Sequence, residues 1–193
     1  MFSLTLIGEV ASGGMVQRAG AKIGDDIFVT GTIGHGFIGL EDAKAERSSP
    51  CRDLFEYPQP PLAFALVAAS YMSAAVDVSD GLVADLGHIC KASVCGMQID
   101  LPAIPFADPA SKNLLAQLNG GDDYQLAFTA ASENHDKLKQ LAAEQSIQLS
   151  KIGHITDGSD FILLNSDGLT LDYSSTGTSQ ELPSGFSHFG MKK

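Results

Sequence analysis

The chain has 193 residues, of which 44% are apolar and 18% charged, with a formal net charge of −11 at pH 7. That balance supplies enough apolar surface for a real core and excludes a disordered chain. It also excludes a nucleic-acid binder, whose phosphate partner selects basic surfaces, but not a nucleotide site in which metal ions supply the positive charge.

The start, Met1 to Glu9, lacks the basic segment of a signal peptide, and Leu4, Leu6, Gly8 and Val10 alternate as in a strand. Asp26 to Thr32 reads as a second strand, entered through the Gly24-Asp25 turn, and residues 37–47 as a helix. Between them, Gly31 to Gly36 is a glycine-rich turn without the Gly-Lys-Ser/Thr of a P-loop, so it is assigned to packing. Residues 48–61 carry four prolines and read as an irregular connector. A helix over 62–72 then leads into a strand at 74–78. The uncharged run from Tyr57 to Val76 opens with prolines and falls short of the roughly 20 apolar residues of a membrane span.

A helix over 81–93, a strand over 97–101 and a short helix over 111–118 follow. A strand is expected at 124–129. Ser132 is then positioned to cap a helix with Leu138, Leu141 and Ala142 on one face. Strands near 148–155, 160–164 and 169–173 complete the pattern, and 174–193 reads as a loose tail. The fold class is therefore α/β (α+β), one mixed sheet with packed helices. Cys51, Cys90 and Cys95 are odd in number and lack a Cys-x-x-Cys pair, as expected of reduced, mostly buried thiols in a cytoplasmic protein. The five histidines show no zinc-ligand spacing.

Two acidic signatures carry the chemistry: Asp77-Val78-Ser79-Asp80-Gly81 and Gly120-Gly121-Asp122-Asp123. The first lies between a strand end and a helix N-terminus, where unpaired N–H groups and the helix dipole favour anions. Magnesium takes hard oxygen ligands, commonly one or two carboxylates plus substrate phosphates. By itself the pentapeptide serves equally as an N-cap. Asp85, further along the same helix, is read as a surface or helix-pairing residue. A haloacid-dehalogenase reading of Asp77 fails, because Ser79 stands where an aspartate is needed.

The ordered set Arg18 to Lys22, Gly24-Asp25, Val29 to Thr32, Asp77 to Leu82, Asp85 to His88, Lys91 to Ser93 and Gly120 to Tyr124 resembles the thiamine-monophosphate kinase family. That family belongs to a superfamily with aminoimidazole ribonucleotide synthetase, selenophosphate synthetase and a hydrogenase maturation factor. The resemblance implies the carboxyl-terminal domain of that fold over residues 33–193. Residues 1–32 would be a remnant of the amino-terminal ATP-binding domain and the entry to the second domain. It implies ATP-dependent phosphorylation of thiamine monophosphate to thiamine diphosphate, with Mg²⁺ as cofactor and a homodimer in the full-length enzyme. Asp77 and Asp80 match metal ligands, Ser79 and Arg18 ATP contacts, and Asp122 and Phe186 substrate contacts. Asp122 is one methylene shorter than the family's usual glutamate. Tyr57 to Pro61 stands where the family commonly has an Arg-Pro-x-Pro-Arg stretch, and both arginines are absent. The resemblance thus predicts a truncated chain, inactive alone. The alternatives are a non-catalytic domain that binds nucleotide or self-associates, and a superfamily member with another acceptor.

Overall fold

The computed structural model describes residues 3–10, 14–165 and 167–171. Among these, seven strands form one mixed sheet in the order β2-β4-β1-β5-β3-β6-β7. The strands are β1 Asp26–Thr30, β2 Ala74–Asp77, β3 Gly96–Asp100, β4 Leu126–Ala130, β5 Leu149–Thr156, β6 Phe161–Leu164 and β7 Thr170–Leu171. Neighbours are antiparallel except β3 and β6, which run parallel. The expected mixed sheet with packed helices is what forms.

Period-two alternation sorts the strand side chains into two cores. Ile27, Val29, Val76, Ala127, Met97 and Ile99 turn to one face, against Leu82, Val83, Leu86 and Ile89 of α4 (Leu82–Ser93). Phe28, Phe128 and Ala130 turn to the other, against Phe64 of α3 (Leu62–Ala68) and Leu138 and Leu141 of α6 (His135–Glu144), which follows the short α5 (Leu114–Asn119) in the chain. Phe28 and Phe128 lie directly opposite across β1 and β4, with stacked rings 5.3 Å apart. Such a pair contributes about 1 kcal/mol beyond its buried area. Burial pushes the Cys90 thiol up to about 12, and Cys95 is raised by burial too. No helix among the described residues is long and apolar enough to cross a membrane.

Several local expectations change. Residues 3–10 belong to no strand, and Leu4, Leu6 and Ile7 are exposed; alternation makes a strand only where a partner backbone accepts it. The 48–61 connector contains α2 (Pro50–Glu56), because Ser49 accepts the Arg52 N–H at 3.0 Å and Pro50 sits where its missing N–H costs nothing. Ser132 does not cap α6; it opens a 3₁₀ turn over Ser132–Asn134 instead. The helix α1 (His35–Lys44) packs on α2, joined by Arg47 and Ser49 on the Asp42 carboxylate.

Candidate functional site

β2 is an edge strand that runs out at Asp77, and its antiparallel partner β4 begins at Leu126. Their pairing continues past both strand ends. Val78 donates to the Gln125 carbonyl at 2.8 Å, Tyr124 to the Val78 carbonyl at 2.8 Å, and Asp122 to the Ser79 carbonyl at 2.9 Å. The two acidic signatures, more than 40 positions apart in sequence, are therefore main-chain partners. That pairing sets Asp77, Asp80 and Asp122 around one strand end. The charges of all three bear on the Tyr124 hydroxyl, which burial and these carboxylates push above its ordinary value. Tyr124 also donates that hydroxyl to Asp122 Oδ1 at 3.1 Å.

Tight main-chain contact makes this packing possible. Gly121 has φ +67°, and a Cβ there would be driven into the Ser79 carbonyl oxygen. Asp122 and Tyr124 also lie in the left-handed region, at φ 57° and 49°. Outside glycine that conformation is uncommon, and it concentrates at functional loops.

The helix N-terminus differs from expectation in one respect. The N–H groups of Ser79 and Asp80 are not open to an incoming anion, because Asp85 Oδ2 accepts both, at 2.9 and 3.0 Å. Asp85 is correspondingly buried, at 3% exposure, rather than on the surface. Burial raises its pKa first, the two amide bonds lower it, and the charges of Asp80 and Asp77 raise it again. Those two amides are therefore not available to a phosphate. His88 stands one turn beyond Asp85, and ligand atoms of Asp80, Asp85 and His88 lie within 4.8 Å of one another. The Asp85-x-x-His88 spacing on one helix face is the sequence signal for this group.

Asp123 is the second buried carboxylate that sequence reasoning missed. It is 6% exposed and accepts the N–H of Gly34 at 3.0 and 2.9 Å and of Gly36 at 3.0 Å, closing the start of α1. Gly31 to Gly36 is thus packing chemistry, as expected, and the anion it receives is internal. Burial raises Asp123 to about 6 against the pull of those amides. A folded pKa above the unfolded one means stability is fully present below the unfolded pKa and is lost as pH rises through the folded value. The rise from 3.8 to about 6 corresponds to at most about 3 kcal/mol. Asp123→Asn is expected to flatten the fall in stability between about pH 4 and pH 6, read by urea melts across that range. An unchanged slope would remove Asp123 as its source.

Of the residues singled out in the sequence, Asp77, Ser79, Asp80 and Asp122 come together. Arg18 does not join them. It is exposed, its carbonyl accepts Ser93 Oγ at the far end of α4, and the adjacent Gln17 carbonyl accepts the Ala75 N–H. No ion pair links it to the three carboxylates among the described residues. Phe186 lies outside the described residues. Asp77 and Asp80 offer hard carboxylate oxygens of the kind magnesium takes, and neither is ion-paired to a protein cation among the described residues; the three ligand atoms close enough there to share one ion are those of Asp80, Asp85 and His88.

Residues 22–164 match the family described as AIR synthase related protein, C-terminal domain. The thiamine-monophosphate kinase of Escherichia coli is 35% identical over 188 positions, covering 89% of this chain and 57% of the relative. The crystal structure of thiamine-monophosphate kinase from Stenotrophomonas maltophilia superposes with a TM-score of 0.73 at 33% identity, over 84% of this chain and 56% of that one. AaThiL complexed with AMPPCP and TMP gives a TM-score of 0.71 at 26% identity, over 90% and 54%. The chain spans about half the length of the curated relatives it matches.

Proposed function

The chain belongs to the AIR synthase related protein family as its C-terminal domain, and from that premise we propose that it is the carboxyl-terminal part of a thiamine-phosphate kinase. In that reaction the γ-phosphate of ATP passes to the phosphate of thiamine monophosphate, giving thiamine diphosphate. The observation that carries this reading is the main-chain pairing of Ser79 with Asp122, which brings three carboxylates to one strand end with no protein counter-ion among the described residues. Support also comes from a homologue solved with AMPPCP, an ATP analogue, and TMP.

Both reactants are anionic, so the protein's work is alignment and charge neutralisation more than covalent chemistry. Bound magnesium would supply the positive charge that lets two phosphates approach. Asp77 and Asp80 would hold it, and Ser79, between them, would contact the nucleotide. Asp122, steadied by the Tyr124 hydroxyl, would face the acceptor, through a bridging water where its shorter side chain falls short. Arg18 would reach ATP from the far end of β2, and Phe186 would pack on the acceptor's rings. We place the domain boundary ahead of β1, since β1 lies mid-sheet between β4 and β5. Residues 3–10 would then belong to the amino-terminal domain, and the assembled enzyme would act as a cytoplasmic homodimer.

Because the chain spans only about half of its relatives, turnover by it alone is expected to be slight. Mixing it with the separately expressed amino-terminal half of the Escherichia coli enzyme is expected to yield thiamine diphosphate from ATP, magnesium and thiamine monophosphate, at least about tenfold above either part. Titration calorimetry of the chain alone with magnesium and AMPPCP is the independent measure. No activity in the mixture together with no binding to the chain would overturn the reading.

A further inference from the structure

Asp123 has a neighbourhood that a plain turn residue does not need. Its two chain neighbours, Asp122 and Tyr124, are both left-handed and both donate their N–H groups to the main chain at Val78 and Ser79. Asp123 points the other way, into the start of α1, where the amides of Gly34 and Gly36 close on it. The fit there is tight: a Cβ on Gly36 would collide with the Gly121 carbonyl, and one on Gly34 with the Gln117 side chain. No basic side chain pairs with this buried carboxylate among the described residues. Both of its oxygens accept main-chain N–H groups, which a neutral amide with a single acceptor oxygen would not match.

Resting on the function proposed above, we propose that Asp123 is a positioning residue: by fastening the acidic turn to the Gly34 and Gly36 amides, it fixes the direction in which Asp122 meets the phosphate acceptor. The turn is bonded on one side to the Asp77–Asp80 loop and on the other to α1. Release of the α1 side leaves the two left-handed residues held only by their N–H bonds to Ser79 and Val78, and the Asp122 side chain then swings. The Asp77 carboxylate stands on β2 and Asp80 in the loop before α4, where its N–H is held by Asp85, so neither is released with it.

The test compares the 193-residue chain with Asp123→Asn, Asp122→Asn and the double variant. Hydrogen exchange is read at the Asp122 and Tyr124 amides, and calorimetry follows thiamine monophosphate and, separately, magnesium with AMPPCP. In Asp123→Asn those two amides are expected to exchange at least about tenfold faster, with β1 unchanged. Thiamine monophosphate is expected to bind about tenfold or more weakly, and magnesium with AMPPCP within about twofold of the parent. The losses in Asp122→Asn and Asp123→Asn are expected not to add, since both remove one contact. Unchanged exchange at Asp122 and Tyr124, additive losses, or equal weakening of both ligands would overturn the proposal. A parent chain that binds no thiamine monophosphate would count against the kinase reading alone; the exchange data would still decide the positioning role. If Asp123→Asn does not fold, Asp123→Glu, which keeps the charge but overshoots the amides by a methylene, carries the same expectations.

Discussion

Gly121→Ala is expected to destabilise the fold by about 2–5 kcal/mol, the sum of a left-handed backbone penalty and an overpacking term. The first arises because Gly121 sits at φ +67°. The second arises because the new methyl group meets the Ser79 carbonyl oxygen and the Asp80 main chain. Neither can rotate away as a side chain would. The only relief is to separate the two acidic segments, which breaks the Asp122 to Ser79 hydrogen bond and moves Asp80 with it. Stability and cation binding should therefore fall together. Gly158→Ala separates the two contributions, since Gly158 has φ +83° but open space where its Cβ would go. It is expected to cost only about 1 kcal/mol, the backbone part. Urea melts should show a lower midpoint with an unchanged slope for both variants. A Gly121 variant no less stable than the Gly158 variant would mean that the two signatures are not in close main-chain contact.

How much of this was legible in the sequence depends on the range over which each feature is determined. The strand expected at 26–32 and the helix expected at 81–93 are set by short local stretches and form as β1 and α4, whereas the alternation at 4–10 forms no strand. The proline-rich 48–61 stretch misled because a proline was read as a breaker, whereas Ser49-Pro50 is also a helix start. The acidic signatures stood out by composition alone. Their mutual hydrogen bonding did not, because pairing across more than 40 residues depends on where β2 and β4 lie in the sheet. Asp85 and Asp123 were opaque for a related reason. An aspartate that binds buried amides has the same one-letter signature as one in solvent, and only the backbone around it tells them apart. The role given to Arg18 came from resemblance, with no local pattern to support it.

Asp77→Asn with Asp80→Asn should remove the response to metal while leaving the fold as stable as before, or more so. In the parent, Asp77, Asp80 and Asp122 crowd like charges around Tyr124, and the first two around Asp85, without an ion-paired protein cation among the described residues. Neutralising two of them relieves repulsion, so without metal the melting temperature is expected to stay level or rise by a few degrees. With magnesium and AMPPCP the order should reverse. A ligand that binds only the folded state stabilises it by about 2.7 kcal/mol at 100 times its dissociation constant. The parent should show that increase and lose it when the metal is chelated, whereas the double variant should show almost none. Because the chain carries a net charge of −11, any salt will screen it, so sodium chloride at matched ionic strength is the control. A variant that still gains the full magnesium-specific stabilisation would place the cation elsewhere, and Asp80, Asp85 and His88 would lose their claim to the site along with Asp77. A variant that melts well below the parent without metal would instead show that these carboxylates hold the loop together, which their lack of protein counter-ions among the described residues argues against.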